Sequence, residues 1–265
     1  MSVNPLGQTL NTLSPVQPLP LALPVVHITS ARAFRAIVNR GALVPSRCAV
    51  FGEDILYFFY GGGFYRPRNH QTKNADELPV AFMFDPAFLK TRLRFYPCDT
   101  GALASGLLAC KAAAALEPFR DVLRVDGNCD PNVPCTIVYH LFGTNDRYIR
   151  GELDPGCAKK PDPLPTLLEL MSTDLTACGV DHRQSIIEGQ VLTPVSLRQH
   201  LLWVGFPETL TDVFADLYEL TRPSLPDYHT YSSHVNFNPA QVAAQLEMRA
   251  GDVIRRFTAL PEGRQ

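Results

Sequence analysis

Along the 265-residue chain, apolar positions fall into strand-like runs and helix-like stripes that cluster instead of alternating regularly. Short runs of β-branched and aromatic residues read as strands: LPVVHITS (23–30), ILYFFY (55–60), LPVAFMFDP (78–86) and two runs within RQSIIEGQVLTPVSLRQHLLWVGFP (183–207). In ILYFFY both alternating sets are apolar. Ile55, Tyr57 and Phe59 line one face and Leu56, Phe58 and Tyr60 the other, the pattern of a strand covered on both sides. Helical spacing appears in SARAFRAIVNRG, where Ala33, Phe34, Ile37 and Val38 share a side, Ser30 caps and Gly41 stops the helix. ALASGLLACKAAAAL (102–116) predicts a core helix, and two further helices are expected around 209–221 and from Pro239 to Phe257, the latter capped by Asn238.

Strand clusters at both ends of the chain predict an α+β fold with a split, mostly antiparallel sheet and flanking helices. The opening segment, 1–24, is rich in proline and reads as an extended arm. Residues 25–265 are expected to form one domain, because no linker or charge block divides them. Within that span, 118–182 carries many Pro, Gly, Asp and Asn residues and only short periodic pieces such as TIVYHLF, which predicts a loop-rich insertion. No internal repeat is visible.

Composition narrows the classes. A formal net charge of -2 argues against a generally basic nucleic-acid surface, although Arg outnumbers Lys by 19 to 5, a bias toward two-pronged recognition of phosphate or carboxylate. Seven scattered cysteines (48, 98, 110, 129, 135, 157 and 178) show no CxxC pair and no zinc spacing, so reduced thiols in a cytoplasmic protein, with no metal, are expected. The longest apolar tract is too short for a bilayer and contains Lys111, so no membrane association is expected.

Three places carry candidate chemistry. The first is GGGFYRPR, following ILYFFY: glycines that let the backbone turn or approach closely, then Phe64, Tyr65 and Arg66, flat rings and a donor fork suited to the rim of a pocket for a flat, phosphate-bearing ligand. The second is HIT, where His27 and Thr29 are two apart in an extended segment and face the same way. The third is Glu188, which interrupts an apolar strand after Ile186 and Ile187. A carboxylate in a strand built for a core is a site candidate, whereas an outward-facing glutamate on an alternating edge strand would be unremarked. No GxGxxG opens a helix and no GxSxG occurs, which disfavours a Rossmann dehydrogenase and a serine hydrolase.

HITSARAFRAIVNRGALVPS resembles the opening of the DNA-targeting ADP-ribosyltransferase toxins of the DarT type, and IIEGQVLTPVSLRQHLLWVGFP is similar to the segment bearing their catalytic glutamate. The match spans roughly 25–70 and 183–207. It implies an ADP-ribosyltransferase-like fold, NAD as substrate, no metal, and transfer of ADP-ribose to a macromolecular acceptor, nucleic acid or protein, in a toxin or defence effector. By the same resemblance His27 binds a ribose hydroxyl, Thr29 orients the nicotinamide amide, Tyr65 or else Tyr57 or Tyr60 stacks on the nicotinamide, Arg66 meets a phosphate, and Glu188 is the catalytic carboxylate. Gln190 stands where some members carry another acid. An NAD glycohydrolase and a non-catalytic nucleotide-binding module of the same fold are the alternatives.

Overall fold

The computed structural model describes residues 5–13, 18–62, 70–90, 93–108, 110–173, 182–222, 226–232 and 237–259. In chain order the strands are β1 Val25–Ser30, β2 Ala42–Leu43, β3 Ser46–Arg47, β4 Asp54–Tyr60, β5 Pro79–Phe84, β6 Arg94–Tyr96, β7 Val125–Asp126, β8 Glu188–Val191, β9 Val195–Ser196, β10 Leu201–Pro207 and β11 Asp227–Tyr231. The helices are α1 Leu6–Thr12, α2 Ala31–Arg40, α3 Thr100–Ala104, α4 Lys111–Ala115, α5 Phe119–Val122, α6 Val133–Phe142, α7 Asn145–Ile149, α8 Leu164–Ser172, α9 Thr211–Thr221 and α10 Pro239–Ala259. The fold is mixed α and β with mostly antiparallel strand pairing.

Contacts divide the chain into two compact units, one made of residues 1–22, 47–54 and 89–191, the other of 23–46, 55–88 and 192–265. In the second unit the strands run in the order β11-β10-β5-β1-β4, antiparallel except for the parallel pair β10 and β11. Every residue of β5 is buried, as its continuous apolar run requires of a strand with a neighbour on each side. In β4 only Asp54 is exposed, and Phe58 lies against Phe84 and Phe88 at ring-centroid distances of 5.6 and 4.7 Å. Helix α2 forms as its pattern predicts: the Ser30 hydroxyl accepts the Ala33 N–H, and the Gly41 N–H bonds to the Ile37 and Val38 carbonyls. Its Phe34 is fully buried, stacked 5.9 Å from Phe206. Helix α10 buries Ala243, Leu246, Ala250 and Ile254 along one stripe, and the Asn238 side chain accepts the Ala240 N–H at its start.

The first of the three consecutive glycines and its successor end β4 in a left-handed turn, with φ of 68° at Gly61 and 99° at Gly62. A Cβ on Gly62 would sit 2.6 Å from Ile254 Cδ1, so the turn needs glycine for its backbone angle and for its closeness to α10.

In the first unit β8-β6-β7 pair antiparallel. Two expectations are corrected here. The arm is not wholly extended, since Leu6–Thr12 form a helix that buries Leu6 and Leu10, with Pro5 just ahead of it where its missing N–H costs nothing. The tract 102–116 is not one helix but the two short helices α3 and α4, because the chain takes a left-handed turn at Gly106 (φ 74°) and restarts under a Cys110 cap. The stretch 118–182 includes the helices α5 to α8. They are short, and α6 buries residues on several sides, so the one-sided spacing that betrays a surface helix is missing from TIVYHLF.

Candidate functional site

The register of β6 against β8 builds the site in the first unit. Tyr96 lies opposite Glu188, Phe95 opposite Gly189 and Arg94 opposite Gln190. Since side chains alternate along a strand, Glu188, Gln190, Arg94 and Tyr96 share one face. The run Ile187, Glu188, Gly189, Gln190, Val191 is buried throughout, and Glu188 itself is 1 % exposed. The outward-facing alternative for Glu188 is thereby removed.

Three donors hold the Glu188 carboxylate. The Thr100 N–H reaches Oε2 at 3.0 Å, the Thr100 hydroxyl reaches Oε1 at 2.7 Å, and the Gln190 amide nitrogen reaches Oε1 at 2.6 Å. Thr100 is in place because Asp99 caps α3, its side chain accepting the Ala102 N–H at 2.9 Å while its own N–H bonds to the Arg183 carbonyl. The strand entering Glu188 is fixed from α7, where the buried Tyr148 hydroxyl accepts the Ile187 N–H at 3.1 Å. Burial pushes the Glu188 carboxyl up from the ordinary 4.5 to about 8, the Asp99 carboxylate adds to this, and the bonds from Gln190 and Thr100 oppose it. Burial likewise pushes the Cys98 thiol well above its usual range, with Glu188 and Asp99 adding to the shift, so it is an inert neighbour and no nucleophile.

The second unit holds His27, Thr29, Tyr57 and Tyr60. His27 Nδ1 lies 2.8 Å from the Tyr57 carbonyl and must donate to it, which leaves Nε2 as an acceptor. Burial pushes this histidine down from 6.5 to about 4, so it is neutral, and the Tyr57 carbonyl opposes that shift. Its ring lies 5.7 Å from Phe58 and 6.5 Å from Phe82. Thr29 is half-buried two residues along β1, opposite Val80. Tyr60 differs from what a stacking platform requires: it is 1 % exposed and its hydroxyl accepts the Leu23 N–H at 2.8 Å, so no ring face is open. Tyr57 is half-buried. Tyr65 and Arg66 lie outside the described residues.

Thr100, Asp99, Arg94 and Tyr148 were not singled out by the sequence. The only local signal was the Asp-Thr pair at the head of the alanine-rich tract, a helix-start signature that says nothing of Glu188. Among the described residues, no group of three or more His, Cys, Asp or Glu side chains is placed to hold a metal ion, and no helix is long and apolar enough to cross a membrane. Comparison with protein-family models, curated proteins and solved structures finds no match.

These titrations set a pH dependence of stability. Between pH 4.5 and about 8 the folded protein keeps the Glu188 proton that the unfolded chain releases, so this group makes stability fall as pH rises. His27 and His140, both pushed down to about 4 by burial, act in the opposite sense: the unfolded chain binds protons that the folded one refuses, so stability falls as pH drops from 6.5 toward 4. Urea denaturation of the wild-type protein is expected to show greatest stability near pH 6.5 on these grounds. Glu188→Gln should flatten the decline above that pH and, by removing the opposing Glu188 slope, steepen the decline between pH 6.5 and 4.5, whereas equal declines in both proteins above pH 6.5 would refute the Glu188 assignment.

Proposed function

We propose that the chain is an NAD-dependent ADP-ribosyltransferase with an ADP-ribosyltransferase-like fold, cleaving the bond between nicotinamide and ribose and passing ADP-ribose to a macromolecular acceptor, nucleic acid or protein. The observation that carries this reading is Glu188: a carboxylate buried in a core strand yet held by three donors from Thr100 and Gln190. The mostly antiparallel strands and the HIT segment on β1 support it.

The chemistry asks for these groups. As the C–N bond breaks, its electron pair leaves with nicotinamide and positive charge develops at the ribose carbon, where a fixed carboxylate stabilises the transition state more than the ground state. The acceptor then bonds to that carbon and loses a proton. Thr100 and Gln190 already set the geometry of the carboxylate, but with Glu188 only 1 % exposed its surroundings must open to admit the ribose. Its ionised form is the working one, so nicotinamide release should rise as pH approaches about 8. His27, neutral with Nε2 accepting, suits a ribose hydroxyl, and Thr29 on the same side of β1 suits the nicotinamide amide. Of the tyrosines proposed for stacking, Tyr57 and Tyr65 are the ones retained.

The test is incubation of the purified protein with NAD, following free nicotinamide by chromatography, alone and with single-stranded DNA, RNA or protein. Nicotinamide release with ADP-ribose on one acceptor is expected. Release with ADP-ribose only on water would make the protein an NAD glycohydrolase, and binding of NAD without release would make it a non-catalytic module.

A further inference from the structure

Arg94 is 9 % exposed, and one of its guanidinium nitrogens, Nε, is buried with no hydrogen-bond partner among the described residues. A buried cation incurs a large desolvation penalty that its Coulombic partners need not recover, so its retention asks for a reason. The guanidinium is held from three sides. Nη1 donates to Glu53 Oε1 at 3.0 Å, Nη2 donates to Gln190 Oε1 at 2.8 Å, and the Phe51 ring lies 5.3 Å from its central carbon. Glu53 is the half-exposed member, held in a turn closed by the Cys48 N–H on the Glu53 carbonyl.

The consequence lies in the Gln190 amide. Its two ends have nearly the same shape, so packing alone does not choose between its orientations. A guanidinium has donors only, so Arg94 demands the amide oxygen. The amide NH2 must then face the other way, where it meets Glu188 Oε1 at 2.6 Å. Reversed, the amide would set a carbonyl oxygen against a carboxylate oxygen, an arrangement that only a protonated Glu188 tolerates. We propose that Arg94 is a positioning residue for the Glu188 carboxylate, acting through the orientation of the Gln190 amide, so that the relay from Glu53 through Arg94 and Gln190 keeps a donor on Glu188.

The other charged or titratable groups facing Glu188 are Asp99 ahead of α3, Cys98 beside it and Tyr96 across the strand pair. The Asp99 carboxylate disfavours the ionised Glu188, burial keeps the Cys98 thiol and the Tyr96 phenol neutral, and the Tyr96 hydroxyl already donates to the Arg120 carbonyl at 3.2 Å, so it does not replace the lost donor. The consequence for turnover rests on the ADP-ribosyltransferase reading; the effect on the Glu188 proton does not.

The experiment therefore reads the proton directly. Protein labelled with carbon-13 at glutamate carboxyls is titrated by NMR, with the Glu188 signal assigned by its loss in Glu188→Gln. Arg94→Met is expected to raise the Glu188 midpoint by about one pH unit, roughly the tenfold change in proton affinity set by losing one charge-assisted hydrogen bond. Gln190→Leu should raise it as much, and Arg94→Met in the Gln190→Leu background should add nothing. An ion pair of purely structural value would lower the melting temperature and leave the midpoint alone, and that result overturns the proposal, as does an additive effect in the double variant. Should Arg94→Met not fold, Gln190→Leu decides: a midpoint equal to the wild type overturns the relay, and a rise that a further Arg94→Lys change does not enlarge supports it. In the same samples nicotinamide release is followed against pH. A midpoint shift in a protein that never releases nicotinamide supports the relay and refutes the enzyme reading, whereas release without a shift does the reverse.

Discussion

Glu188→Gln is expected to lower nicotinamide release ~10²-fold or more while leaving NAD binding in place. Glutamine keeps the length and planarity of the side chain but has no charge to set against a developing cation. It also brings an NH2 among three donors, so at least one of the Thr100 and Gln190 contacts must reorganise. That second effect is local, because the variant also removes a group whose burial in charged form is unfavourable at high pH. The variant should therefore fold, and above pH 6.5 fold at least as stably as the wild type. Chromatographic measurement of nicotinamide together with calorimetric titration of NAD separates the loss of transition-state stabilisation from a loss of binding. A Glu188→Gln protein that releases nicotinamide at the wild-type rate would remove the proposed role.

Phe58→Ala is expected to lower the stability of the protein by ~3–5 kcal/mol, the range for deleting a fully enclosed aromatic ring. Phe58 has no exposed surface and lies within 4.7–5.7 Å, centroid to centroid, of Phe88, Phe84 and His27. Three of its neighbours are themselves rings in a crowded sheet layer, which limits how far the site can collapse around the void. One of those neighbours is His27, whose neutral state depends on burial, so the variant should also raise the His27 midpoint from about 4 toward 6.5. Guanidinium denaturation gives the first effect and NMR titration of the ring protons the second. A loss below about 1 kcal/mol with an unmoved His27 would mean that the Phe58 pocket is not packed as described.

The elements whose apolar residues stand in one continuous local pattern were legible in the sequence. Val25–Ser30, Ala31–Arg40, Asp54–Tyr60, Pro79–Phe84 and Leu201–Pro207 form where β-branched runs or a one-sided stripe with Ser and Gly at its ends call for them, and Pro239–Ala259 starts at the predicted proline behind its Asn238 cap. Such signals are local because backbone preference and capping act within a few residues. Glu188 stood out for the same reason, as a charge in an apolar run. Whether it was buried or turned to water was not legible, since one residue of register slip exchanges the two faces of a strand.

Only the tertiary structure decided what surrounds it. Thr100 lies 88 residues from Glu188 along the chain, and Arg94 lies 96 residues from Gln190. Neither partner has a periodicity that points to the other. The short helices of 118–182 and the enclosed ring of Tyr60 belong to the same class. Each depends on which surfaces meet after folding, and burial, the cause of the raised Glu188 and lowered His27 titrations, is a property of the packed surroundings. The sequence by itself thus determined which side chains were out of place in their local patterns; the folded chain determined which donors, charges and enclosed surfaces give those side chains their chemistry, because desolvation and hydrogen bonding act through space and not along the chain.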